Sequence, residues 1–186
     1  MTGRTLIAGV GNVFCGDDGF GVAVAHRLAR EKLPAEVDLR DYGIRGGHLA
    51  YQILTGYETL VLVDALHRDG PPGTLYVVEA AGHEESAWAL HTGAETAAGS
   101  SANGPTGAAP AAREATGEGH DWSVDGVLAL VPALGGQVDR VVVVGCEPAD
   151  IGAGIGLSPA VENAVGPAAK LVLEIVEKGR RTWTTR

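Results

Sequence analysis

Apolar runs rich in β-branched residues alternate along this chain with stretches whose apolar positions recur at helical spacing. The runs at about 4–10, 36–42, 58–64, 74–79 and 139–146 predict five strands, and the helical patterns predict helices at 19–32, 46–55, 122–133 and 159–178. Because the strands are nearly continuous in apolar residues, both faces of their sheet must be covered, which predicts a single-domain, three-layer α/β/α fold over residues 1–186. Ser158 is the expected N-cap of the last helix, Pro159 its first residue and Gly179 the residue just past its end. Gly166-Pro167 is expected to kink or split that helix.

The step from Asp64 to Thr74 is too short for a helical crossover, and Gly70-Pro71-Pro72-Gly73 marks a turn. The fourth strand should therefore run antiparallel at a sheet edge. Right-handed crossovers then give a five-stranded, mostly parallel, twisted sheet of order 2-1-3-5-4. Winding reverses between strands 1 and 3, and ligand crevices in open α/β sheets lie at the carboxyl ends of the strands at such a point.

Residues 93–119 carry almost no bulky apolar side chain and cannot bury enough surface to offset their ordering entropy, so a flexible low-complexity loop is expected. The net charge of −9 argues against nucleic acid or an anionic membrane as partner. No apolar run is long enough to span a bilayer and the N-terminus has no signal-peptide core, so a cytoplasmic protein is expected. Cys15 and Cys146 form no C-x-x-C and read as reduced thiols, Cys146 buried.

The candidate chemistry is acidic. Behind the first strand stands Gly9-Val10-Gly11-Asn12-Val13-Phe14-Cys15-Gly16-Asp17-Asp18-Gly19-Phe20-Gly21, where a dinucleotide-binding fold would place a G-x-G-x-x-G turn for pyrophosphate. Phe14 replaces the third glycine and two carboxylates follow, which repels phosphate and attracts a cation. The plain alternative is that Asp17 or Asp18 caps the first helix. Strand 3 delivers Asp64 to the same end and strand 2 delivers Asp41, each of which also reads as an ordinary turn residue. Of the six histidines, His26, His67, His83 and His91 read as surface residues and His48 as a candidate pocket residue. His120 opens a helix after the low-complexity block, where it could be ordered over the crevice. No G-x-S-x-G, H-E-x-x-H or Walker lysine is present, and negative neighbours disfavour a thiolate at Cys15.

Gly9-Val10-Gly11-Asn12 with Asp17-Asp18-Gly19-Phe20-Gly21, then Val63-Asp64-Ala65, Pro72-Gly73-Thr74, His120 and Gly156-Leu157-Ser158-Pro159-Ala160-Val161-Glu162, in this order, resemble the hydrogenase maturation endopeptidases. The resemblance spans about residues 5–178 and implies removal of a C-terminal extension from the large-subunit precursor of a [NiFe] hydrogenase after nickel insertion. It also implies a metal site of Asp18, Asp64 and His120, with Asp17 and Asp41 as candidate catalytic helpers. Nickel would arrive with the precursor, no organic cofactor is implied, and a monomer is expected. A checkpoint that recognises the nickel centre without cleaving anything is the alternative, and an ordinary nucleotide-binding domain a third. Two departures from the family pattern stand out. Asp41-Tyr42-Gly43-Ile44-Arg45-Gly46 replaces the usual threonine and carries an arginine, and the block before His120 reads as an extension.

Overall fold

The structure is a computed structural model that describes residues 3–81 and 134–183. The loop expected at 93–119, the helix at 122–133, and His83, His91 and His120 lie outside these residues. In chain order the described elements are β1 (Thr5–Val10), a short 3-10 helix (Gly16–Gly19), α1 (Phe20–Leu28), β2 (Val37–Gly43), α2 (Gly46–Ile53), β3 (Thr59–Ala65), β4 (Leu75–Ala81), β5 (Arg140–Cys146) and α3 (Pro159–Trp183).

The sheet order is β2-β1-β3-β5-β4, as the short β3–β4 connection requires. β1 pairs in parallel with β2 and β3, and β3 with β5, while β4 runs antiparallel along β5 at the edge. Alternation along the strands divides the core in two. Ile7, Val61, Val63, Val142 and Val144 face α1 and α3, meeting Phe20, Val24, Leu28, Val161 and Val172. Leu6, Ala8, Leu60, Leu62 and Val143 face the other way, against Leu49, Ala50 and Ile53 of α2. Both faces are thus covered and the three-layer arrangement holds.

Three local expectations need correction. α1 ends at Leu28 rather than 32, and its first turn is preceded by the 3-10 helix. Gly19 is the N-cap of α1 and Cys15 that of the 3-10 helix, neither with a side-chain cap bond, so neither aspartate caps α1. α3 is one helix that runs through Pro167 and past Gly179 to Trp183. A helix-interior proline costs about 3 kcal/mol and a glycine about 1. Val161, Val172, Ile175 and Val176 are buried on this helix, at about 1.5–3 kcal/mol each, so packing outweighs both breakers.

Candidate metal-reading crevice at the carboxyl edge

The crevice is built on close approach of backbones. Gly21, in the first turn of α1, lies so near the ends of β1 and β3 that a Cβ would collide with the carbonyl oxygens of Val10 and Val63. This contact pulls the 3-10 helix over the switch point between the two strands. Gly11 has φ 123°, and a Cβ there would collide with the Asp18 carbonyl and stand 3.7 Å from Asp64 Oδ1. Gly11 therefore lies between the Asp18 backbone and the Asp64 carboxylate. The Asn12 N–H donates to Asp18 Oδ2 at 2.6 Å, and the Ala65 N–H to Asp64 Oδ1 at 2.8 Å. Both aspartates are half-buried. Half-buried carboxylates at the ends of two neighbouring strands are oxygen donors of the kind that suits a divalent cation.

Asp17 has a different task. It is 1% exposed, and its carboxylate accepts the N–H groups of Ser158 (2.6 Å), Ala149 (2.8 Å) and Asp150 (3.1 Å). Its own N–H donates to the Asp150 carbonyl, and across the same seam the Gly16 N–H donates to the Gly154 carbonyl and the Gly154 N–H to the Phe14 carbonyl. Burial alone would raise the carboxyl pKa, but the three backbone donors outweigh it and hold it below the ordinary value. Asp17 thus fastens the Asp18 turn to the connection between β5 and α3.

Asp41 is not brought to this pair. Leu39, two residues earlier, packs on the α1 side, and Asp41 Oδ2 lies 3.1 Å from His26 Nε2 of α1. Leu60 and Leu62 put Asp64 on the α2 side by alternation. A bulge pairs Gly9 with Asp41 but Val10 with Gly43, which turns Tyr42 into the α2-side core. Burial pushes the Tyr42 phenol up to about 12. Arg45 closes this end of β2: its guanidinium donates to the carbonyls of Tyr42 and Asp41, each at 3.1 Å. His48 is exposed on α2.

Sequence reasoning missed Glu147, which is 1% exposed directly after β5. It receives the Arg68 N–H (2.8 Å) and the Tyr76 hydroxyl (2.9 Å) on Oε2, and His67 Nδ1 lies 2.6 Å from Oε1. A carboxylate at the end of an apolar strand was the signal, the same one that drew attention to Asp64. Cys146 is buried as expected, and burial, with Asp17 and Glu147 nearby, pushes its thiol up to about 11. That thiol is inert near neutrality.

A sequence model described as hydrogenase maturation protease matches residues 108–175. In sequence and in fold the chain is similar to hydrogenase maturation proteases. Over 78 residues it is 37% identical to a putative hydrogenase maturation protease of Methanocaldococcus jannaschii, covering 40% of this chain and about half, 49%, of that relative. It is 26% identical to the hydrogenase 2 maturation protease of Escherichia coli, over 91% of this chain and 88% of that protein. The fold superposes on the E. coli hydrogenase maturating endopeptidase HybD with a TM-score of 0.69 at 25% identity, covering 94% and 93% of the two chains.

Proposed function

We propose that this protein is an endopeptidase that removes the C-terminal extension of a [NiFe] hydrogenase large-subunit precursor, and that it reads the nickel already installed there. The placement of Asp18 and Asp64 on either side of Gly11, at the carboxyl ends of neighbouring strands where the sheet's winding reverses, supports the reading. Two carboxylates from adjacent strands supply hard oxygen donors at one side of a cation and leave its other positions to the precursor's own ligands. His120, outside the described residues, is the proposed third donor. The nickel is cargo of the substrate: a loaded precursor would bring its own ion to the acidic crevice, and an unloaded one would meet only negative charge. The same contact places the adjoining peptide where the ion polarises its carbonyl.

The test mixes the protein with unprocessed large subunit, with and without nickel, and measures the subunit's intact mass. Loss of a C-terminal peptide from the loaded form alone is the expected result, and Asp18→Ala or Asp64→Ala should abolish it. Complex formation with the loaded precursor without any cleavage would replace the peptidase reading with that of a non-proteolytic checkpoint.

A further inference from the structure

Hydrolysis of a peptide bond needs a group that takes a proton from the attacking water, and Asp18 and Asp64 are committed to the cation in the reading above. The connection between β3 and β4 offers another group at the same edge of the sheet. His67 stands three residues after Asp64, and its side chain is 72% exposed. Glu147, beneath it, is the buried partner. Burying a carboxylate is costly unless its oxygens are paired, and here Oε2 accepts the Arg68 N–H and the Tyr76 hydroxyl while Oε1 has His67 Nδ1 at 2.6 Å as its ion-pair partner. Tyr76 is in turn covered by Arg68, whose guanidinium carbon lies 5.8 Å from the ring centre. The charged and titratable groups around the imidazole are thus Glu147 from the end of β5, Tyr76 from β4, and Arg68 and Asp69 from the connection itself. Asp69, at φ 57°, places Oδ1 3.7 Å from Nε2.

A carboxylate 2.6 Å from Nδ1 favours the proton on that nitrogen, which makes Nε2, on an exposed ring, the acceptor. We propose that His67 is the proton acceptor of the hydrolytic step, with Glu147 its positioning residue; this rests on the peptidase reading above. As the water oxygen bonds to the scissile carbonyl carbon, Nε2 takes one of its protons. As the C–N bond breaks, that proton passes to the departing amine, leaving a new carboxyl terminus on the subunit and a free peptide. His26 is a poorer choice, since its Nε2 lies within hydrogen-bonding distance of Asp41, at 3.1 Å, whereas Asp69 stands 3.7 Å from Nε2 of His67.

The experiment compares His67→Gln with wild type on the nickel-loaded precursor. Loss of a general base lowers turnover about 10²- to 10⁴-fold, so kcat should fall by that order while Tm and precursor binding stay unchanged. The fall in rate toward acid pH that accompanies protonation of an imidazole base should disappear, and added imidazole should partly restore His67→Ala. In the wild-type protein alone, nitrogen NMR of His67 should show the neutral ring protonated at Nδ1. Wild-type cleavage matched by His67→Gln with the same pH profile overturns this inference and leaves the peptidase reading intact. A neutral ring protonated at Nε2 overturns it as well. Failure of wild type to cleave any loaded precursor removes both. If Glu147 is only an anchor for the β3–β4 connection, Glu147→Gln lowers Tm and His67→Gln changes nothing.

Discussion

The two adjacent aspartates of the first turn look alike in sequence and are opposite in use. Asp17 spends its carboxylate on three backbone N–H groups, whereas Asp18 is half-buried beside Gly11 and Asp64. Hydrogen bonds to a charged group contribute about 1.5–3 kcal/mol each before the cost of burying it. Asp17→Ala should therefore lower stability by several kcal/mol, read as a fall in urea midpoint, with activity lost only through unfolding. Asp18→Ala, which loses the bond from the Asn12 N–H, should lower stability by about 1–3 kcal/mol and remove processing. The sign of the pH effect follows from the direction of the Asp17 shift. A carboxyl pKa lower in the folded state contributes stability above the unfolded value, near 3.8, and that stability is lost as pH falls through the folded value. The difference in midpoint between wild type and Asp17→Ala should accordingly be full at pH 6 and shrink below about pH 4. Gly11→Ala is the complementary test. A left-handed φ for alanine costs about 1–3 kcal/mol, and its methyl would push the Asp18 carbonyl out of place, so thermal unfolding should begin several degrees lower.

At the scale of elements, what was legible depended on how local the cause was. Strand positions and the order 2-1-3-5-4 followed from β-branched runs and from one connection too short for a crossover, and both are local properties. That Asp18 and Asp64 end up at one edge of the sheet was legible because both follow the carboxyl ends of strands that the topology makes neighbours. The role of Asp17 was not, since its partners lie 132 to 141 residues away in the chain. Glu147 was overlooked for a similar reason, its partners being Arg68 and Tyr76 on other elements. Propensity failed where packing outweighed it, most clearly in α3. There Pro167 is exposed and stands inside a continuous helix whose other face is buried on the sheet. Pro167→Ala should regain part of the roughly 3 kcal/mol that an interior proline costs, less what proline contributes by stiffening the unfolded chain. The expected result is a net gain of about 1–2 kcal/mol, a rise in Tm of about 2–8 °C for a chain of this size. An unchanged or lower Tm would mean that the helix is already distorted around Pro167 in a way that Ala does not relieve.

For the molecule as a whole, the question is whether the metal belongs to the fold or to the substrate. The described sheet is covered on one face by the aliphatic cluster with α1 and α3 and on the other by the cluster with α2, and neither includes Asp18 or Asp64. The Asp18 turn is held by the Asn12 N–H, by Gly21 against the strand ends and by the Asp17 seam, all of them protein groups. This differs from small metal-nucleated domains, in which ligand binding supplies most of the folding free energy. Treatment with a chelator should therefore leave Tm within about 1–2 °C of the untreated protein, while processing still depends on nickel in the precursor. The magnitudes make the comparison decisive. An ion held at a hundred times its Kd would contribute about 2.7 kcal/mol, which is about 5–10 °C for a chain of this length. A chelator-induced fall of that size would make the ion a resident part of this protease, and nickel would no longer be a signal that only a loaded precursor can deliver.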